Sequence, residues 1–539
     1  MPTGLSIGRL INADVRFFLK KLEPPTQIVT GEPKVQLLAY TERPYDISVA
    51  SARTCYLPRV MPIGEVDSVK PEIRDMLAKN IYDAGHHTPF QHPTFVFGLE
   101  NISRQFTWSF LHSHPFYNSE QSSQRYVVMK EAKVYVPPLE GTHKRTYENA
   151  VLRAWSDYDR LAELLYEPME KLMLSLGRVK GHEEKRIKSD ASKKAIETAR
   201  YVLPVATFTS MYHTVSGIEL QRYRRMENTG DTPYETRLVI DKMLAEVKRV
   251  DPNFFEKIGD GPLPAEEILE SRAPAPTDPD RFAQDFDRGL EGRTSKLVAW
   301  TENAEEIVAD SVREVLGVNR AALRDDDAIN LVLDPTKNPH LLDTLNTYTH
   351  SPLMRALNHP TYTFKKKVSH TADSQDQRHR MVPASRPMLV RTHTRKPDYH
   401  TPELINKVPG ARKVFDDCMK ALWEAKNDLV DAGVSTESAI YLLPNAVNVR
   451  FTSTGSLLHL MHKWRLRTCF NAQIEIYDAS MDELAQVAQK HPRLTRKIGP
   501  PCVIRDGLID DPKIGPCSEG DHWCGIKVWN NFPNVKRPF

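Results

Sequence analysis

The residues that could do the most chemistry stand at 378–380. Arg378-His379-Arg380, inside QDQRHRM (375–381), packs two guanidinium forks and an imidazole into three positions. Such forks pair bidentately with phosphate oxygens, so the chemistry indicated is phosphate or dinucleotide binding; an ordinary exposed turn is the plain alternative. A second stretch, SEQSSQRY (119–126), offers a carboxylate (Glu120), a carboxamide (Gln121), two hydroxyls (Ser122, Ser123) and a guanidinium (Arg125). A hydroxyl and a carboxylate can orient a polar ligand by hydrogen bonds. Near the C-terminus, Cys502, Cys517, His522 and Cys524 form C-x14-C-x4-H-x-C. Three thiols and an imidazole can hold tetrahedral zinc. There is no C-x2-C knuckle, and the alternative is a loop-rich tail docked through Trp523 and Trp529. Cys55 reads as a strand residue and not as a nucleophile.

Composition narrows the class. The chain has 539 residues, 40% hydrophobic and 27% charged, with a formal net charge of +3. That size suits two or three domains, and the near-neutral balance makes no case for nucleic-acid binding. The aromatic run QFTWSFLHSHPFY (105–117) accordingly reads as a buried helix and not as a base-stacking surface. No apolar run approaches the roughly eighteen residues of a membrane span, and LINADVRFFLKKL (10–22) is too interrupted by charge for a secretory leader. The expectation is a cytoplasmic protein. Six cysteines in this length are too few for a disulfide scaffold.

The elements that must position these residues are duplicated. LLAYTERPYDISVASAR (37–53) resembles LVAWTENAEEIVADSVR (297–313), QHPTFVF (91–97) resembles NHPTYTF (358–364), and ETARYVLPVATFTSMYHT (197–214) resembles ESAIYLLPNAVNVRFTST (437–454). The order is the same, with offsets of 260, 267 and 240 residues. The division expected is an N-terminal extension (1–34), a first repeat (35–258), a Pro-rich linker with a short helix (259–295), a second repeat (296–499) and a Cys-containing tail (500–539). VQLLAYT, SKLVAWT, PTFVFGLE and KVYVPP read as strands. Residues 66–85, 148–177 and 403–433 read as helices, each ending at a glycine. The segments after Pro204 and Pro444 are expected to be helical, since proline suits a helix start.

Taken in order, GHHTPFQHPTFVF (85–97), ISR (102–104), NSEQSSQRY (118–126) and ETARYVLP (197–204) resemble the flavin-dependent thymidylate synthases. That family carries a G-H-x-S/T-P-x-E-H segment, an Arg-His-Arg followed by S-x-R-Y, and a helix with E-x-A-R-x-x-L-P. The resemblance spans both repeats but neither end of the chain. It implies an α+β fold, here two tandem thymidylate-synthase-complementing-protein-like domains packed as a pseudo-dimer. It also explains the His86/His87/His92 cluster without a metal.

The departures are complementary. The first repeat has His112-Ser113-His114 where the family has Arg-His-Arg, but keeps Glu120, Gln121, Ser122 or Ser123, Arg125 and Arg200. The second keeps Gln375, Arg378, His379 and Arg380. It then reads MVPASRPML, and has Ile440 in place of Arg200. LRTCFNAQIEI (466–476) keeps the family's Arg467, Gln473 and Glu475; the first-repeat region, 224–237, matches poorly. Family sites lie between subunits, so the resemblance implies one complete composite site. There, Gln375, Arg378, Glu120, Gln121, Arg125, Arg200 and Arg467 would bind the nucleotide, with Ser122, Ser123 and Arg467 nearest the chemistry. Arg378, His379 and Arg380, with His86, Thr88 and Gln91 (the last in place of a Glu), would face FAD. The family's N-x-R flavin contact is missing: those positions read Ser216-Gly217-Ile218 and Ser456-Leu457-Leu458. The implied activity is reductive methylation of dUMP to dTMP with methylenetetrahydrofolate and NADPH, in a homodimer of this chain. A catalytically inactive nucleotide-binding homologue, or a flavoenzyme methylating another uridine nucleotide, are the other readings.

Overall fold

The computed structural model describes residues 25–180 and 184–538, so most of the N-terminal extension lies outside the described residues. Each repeat is built on an antiparallel sheet. In the first, strand order is Lys34–Tyr40, Thr94–Ser103, Phe208–Ser216, Tyr117–Gln121; in the second, Ser295–Trp300, Thr361–Ser369, Asn448–Ser456. The three sequence matches become rungs of the same ladder. Leu37 pairs Phe97, which pairs His213; Leu297 pairs Phe364, which pairs Ser453. Even the irregularity is duplicated, with a register shift between Leu37 and Ala39 and another between Leu297 and Ala299.

Five expectations change here. The segments after Pro204 and Pro444 are strands and not helices. Their alternating β-branched and aromatic residues fit a pleated, half-buried surface, and each finds an open strand edge to pair with. KVYVPP gives only Ala132–Lys133 as strand, plus a bridge from Val134 to Thr207; its prolines cannot extend a ladder. Residues 66–85 divide into a short 3-10 turn and the helix Pro71–Asp83. Residues 403–433 divide likewise into Glu403–Lys407 and Ala411–Asp431. Cys55 follows the helix Pro44–Thr54 and is exposed, so it is not a strand residue. The linker does carry a helix, Pro279–Leu290, whose Asp287 pairs with Arg450 at 2.7 Å and Lys367 at 2.6 Å.

The repeats meet through reciprocal bonds. Val205 N–H donates to Leu443 O and Asn445 N–H to Leu203 O, each at 2.8 Å; Ala206 donates to Tyr441 O and Ala446 to Tyr201 O. Side chains repeat the exchange. Glu235 accepts from Ser103 N and Oγ and from Tyr441 Oη, each at 2.7 Å. Glu475 accepts from Ser369 N at 2.5 Å, Ser369 Oγ at 2.6 Å and Tyr201 Oη at 2.7 Å. Around this seam the long helices Gly141–Lys180 and Ala411–Asp431 share one apolar core that includes Trp155, Tyr158, Leu422 and Trp423. No helix among the described residues is long and apolar enough to cross a membrane.

One buried acid makes the fold pH-sensitive. Asp159, on the long first-repeat helix, is 8% exposed with Oδ1 unpaired, and burial raises its carboxyl to about 7. A native pKa above the unfolded one gives stability that is present at low pH and lost as pH rises from about 4 through 7. Asp159→Asn should therefore leave urea-unfolding stability little changed at pH 4. At pH 8 it should gain about 2 kcal/mol, allowing for partial solvent screening. An equal effect at both pH values would contradict this.

Candidate functional site

The two sequence stretches converge because each repeat delivers its tripeptide in the same way. A strand runs into a serine that caps a short helix. Ser103 Oγ accepts from Phe106 N–H at 2.8 Å and Ser369 Oγ from Ala372 N–H at 3.1 Å. The helices Arg104–Leu111 and His370–Asp376 then end just before 112–114 and 378–380. The predicted buried helix in 105–117 is thus present. In the first repeat the chain returns as the edge strand Tyr117–Gln121. In the second, Ser385 N–H donates to Thr452 O and Thr454 N–H to Pro383 O. No strand develops there, because Pro383 and Pro387 have no N–H to donate.

Between these elements lies an open cleft of about 350 Å³. Its first-repeat wall includes Glu120, Gln121 and Tyr212; its second-repeat wall includes Gln377, Arg378 and Arg380. Arg380 is committed to the seam: it donates to Pro115 O at 3.2 Å and Asn118 Oδ1 at 3.0 Å, over the Tyr117 ring. His379 is buried, and its Nε2 accepts from Arg467 Nε at 2.9 Å. Burial and the Arg467 charge hold this imidazole well below its usual range, so it is neutral. Arg378 is exposed and has no hydrogen-bond or ion-pair partner among the described residues.

Behind Arg378, residues from both repeats interlock. Gln473 Oε1 accepts from Arg200 Nη2 at 2.5 Å and from Gln375 Nε2, while its amide donates to Tyr201 Oη. Arg467 Nη2 donates to Gln375 O at 3.1 Å. Arg125 pairs with Glu197 at 2.7 Å and donates to Asn471 O at 2.9 Å. Burial alone would raise the Glu197 carboxyl, but Lys194, Arg125 and Arg200 pull it down to about 2. Arg467 is lowered to about 10 by burial and by Arg378 and Arg125, against the pull of Asp376. Arg104 is lowered to about 9 by burial, Arg200 and Arg378. This crowding of guanidiniums is costly by itself, and a bound anion would relieve it.

Some expected residues stand elsewhere. Ser122 and Ser123 do not line the cleft with Arg378; they line a neighbouring one of about 230 Å³ with Arg104. Ser122 Oγ bonds Ser210 Oγ at 2.8 Å, and Ser123 Oγ accepts from Arg125 N–H at 3.2 Å. His86, Thr88 and Gln91 are exposed on the turn before strand Thr94–Ser103, outside both clefts. Where N-x-R would have its Arg, the two repeats have Ile218 and Leu458, both buried. Among the described residues no group of His, Cys, Asp or Glu is arranged to hold a metal ion. The set Cys502, Cys517, His522 and Cys524 is not assembled: His522 is exposed and contributes its carbonyl, not its ring, to Asn471 Nδ2 at 2.8 Å.

Two residues were beyond sequence reasoning. Arg104 sat inside the quoted ISR but had no partner to suggest a role. Glu235 is the spatial counterpart of Glu475, hidden because the loop before it diverged.

The mirror location has lost its charge logic. Arg386 is held bidentately by Asp373 at 2.7 and 3.0 Å, and Trp108 Nε1 donates to the same carboxylate at 2.8 Å. Burial first, then Arg386, holds His112 well below the usual imidazole range, hence neutral. The counterparts of Arg200 and Gln473 there are Ile440 and Pro233.

The family model described as thymidylate synthase complementing protein matches residues 36–253 and again 296–493. The chain belongs to this family, with the family domain present twice. Among curated relatives, the flavin-dependent thymidylate synthase of Clostridium tetani is 30% identical over 232 residues, 42% of this chain and 86% of the relative. That of Geobacter sulfurreducens is 31% identical over 172 residues, 31% of this chain and 70% of the relative. That of Sulfurisphaera tokodaii is 30% identical over 224 residues, 41% of this chain and 82% of the relative. Each alignment is therefore about one repeat long. The chain thus carries two copies of the family domain, and Glu120 and Gln121 of the first line one cleft with Arg378 of the second.

Proposed function

We propose that the chain catalyses flavin-dependent reductive methylation of dUMP to dTMP, with methylenetetrahydrofolate and NADPH, at one composite site. The repeats 35–258 and 296–499 serve as the two subunits of a pseudo-dimer. The observation that carries this reading is the cleft lined by Glu120 and Gln121 on one side and the unpartnered Arg378 on the other. A nucleotide monophosphate is a dianion, and Arg378, supported by Arg200, Arg467 and Arg104, offers the matching charge. Glu120 and Gln121 supply an acceptor and a donor for a uracil edge. Gln473 positions Arg200 and Gln375, and His379 orients Arg467.

The residues also fit a flavin. Tyr212 presents a ring 60% exposed beside Arg378, a flat apolar face next to a cation suited to an isoalloxazine and its diphosphate. When bound, the reduced flavin would activate the pyrimidine in place of a protein thiol, so the chain needs no nucleophilic cysteine at the cleft, and none of its cysteines lines it.

A second reading is favoured by one observation: the Arg positions of N-x-R are occupied by the buried apolar side chains of Ile218 and Leu458. A chain that had lost flavin would bind the nucleotide without turnover. Tritium release from C5-tritiated dUMP, with NADPH, methylenetetrahydrofolate and FAD, separates the two. Turnover by the wild type is expected, falling about 100-fold in Arg200→Ala as roughly 3 kcal/mol of charged hydrogen bonding is lost. Nucleotide binding with no tritium release would establish the second reading instead. Two chains per particle and a cytoplasmic location are part of the same proposal.

A further inference from the structure

The C-terminal segment brings together four thiols that the sequence did not group. Cys469, two residues past Arg467, joins Cys502, Cys517 and Cys524 around one small cavity of about 10 Å³. That is roughly the space of a single water-sized probe, with apolar walls from Phe470, Trp523 and Val528. None of the six cysteines is in a disulfide. We propose that Cys469, Cys502, Cys517 and Cys524 bind one thiophilic divalent metal ion, zinc foremost, which clamps the tail onto the loop 467–473 of the composite site.

Four cysteines around a space for one small ion is the donor set that zinc takes in closed, tetrahedral structural sites. The surroundings suit thiolates. The backbone N–H of Asn471 is directed at the Cys469 sulfur and that of Glu519 at the Cys517 sulfur. Such N–H donors two residues past the ligand orient and stabilise metal-bound thiolates. A tetrathiolate zinc centre carries two negative charges. Arg505 lies within electrostatic reach of Cys517, and Arg537 of Cys469. The sulfurs do not already stand in coordination geometry, and as neutral thiols they have no reason to. Binding exchanges one divalent ion for four thiol protons, with no change of oxidation state, and the thiolates then close on the ion.

The consequence reaches the cleft. The loop 467–473 carries Arg467, the Asn471 carbonyl that receives Arg125, and Gln473. The tail already touches this loop through His522 O to Asn471 Nδ2, and through Arg537 Nη2 to Ala472 O at 2.5 Å. A metal would turn these single contacts into a covalent-strength staple from residue 469 to residue 524.

The test uses the full chain purified with reductant and without metal-affinity resin. Elemental analysis should find close to one zinc per chain, falling to background in Cys469→Ser and Cys517→Ser and unchanged in His522→Ala. Because those variants could lose metal by misfolding, chelator-treated wild type is titrated with Co²⁺. An intense thiolate-to-cobalt charge-transfer band saturating at one equivalent is expected. Proteolysis within residues 500–538 should slow at least about 10-fold on metal loading. Metal-free wild type that also gives no cobalt–thiolate band would overturn the proposal. So would disulfide bonds among these four cysteines in the reduced preparation, or metal kept by Cys469→Ser and lost by His522→Ala. None of these readouts depends on turnover.

Discussion

Arg378→Ala should weaken nucleotide binding about 100-fold, the largest effect on binding expected of any single substitution in this chain. Arg378 is the one cleft-lining arginine with no protein partner among the described residues, so its removal leaves no group behind unpaired. The loss should report charged hydrogen bonding to the ligand, about 3 kcal/mol. Isothermal titration with dUMP measures it. Arg378→Lys should recover only part, since an ammonium cannot reproduce the fork. Ser113→Ala, at the mirror location, removes a hydroxyl that bonds only its own helix at Phe110 O and should leave affinity within about twofold. Equal losses in Arg378→Ala and Ser113→Ala would mean that both locations bind, and the composite-site reading would fail.

The largest stability effect should come from the paired glutamates. Glu475→Ala strands Ser369 N–H, Ser369 Oγ and the Tyr201 hydroxyl from the opposite repeat. Glu235→Ala strands Ser103 and Tyr441 in the same way. Each should cost about 3–5 kcal/mol in chemical unfolding, far more than the roughly 1 kcal/mol of Tyr201→Phe or Tyr441→Phe. Glu235 also makes this contribution depend on pH. Burial is the main cause raising the Glu235 carboxyl to about 7, against hydrogen bonds from Ser103 and Tyr441 that favour its charged form. Its native pKa lies above the unfolded value, so its contribution is fullest at acid pH and fades as pH rises through about 7. Glu235→Gln should therefore flatten the fall in stability between pH 5 and pH 8. A variant with an unchanged slope would show that another acid carries it.

Much of this was readable before the structure. The repeat was, because a ladder rung needs the same residue type at the same register in both copies: Leu37 and Leu297, Phe97 and Phe364. That Glu120 and Arg378 would line one cleft was readable as complementary loss, since Arg378 without a neighbouring Glu, and Glu120 without an Arg-His-Arg, each make little physical sense alone. The strands after Pro204 and Pro444 were misjudged because proline permits a helix start without requiring one, and the deciding factor was the open edge of a distant strand. The placing of Ser122 and Ser123 followed from local turn bonding to Ser210 and Arg125, which spacing from a motif does not convey.

By itself the sequence determined which groups are available: the guanidiniums, the carboxylates, the duplicated strands and helices, and the family to which both halves belong. These follow from residue type and short-range periodicity, which act over a few positions along the chain. Only the tertiary structure decided which groups meet. It paired Arg200 with Gln473 and Tyr201 with Glu475, and it replaced His522 by Cys469 among the tail thiols. It also left Arg378 open while engaging Arg380 and His379. Those outcomes depend on contacts between residues some 50 to 270 positions apart, where burial decides which polar groups must satisfy one another.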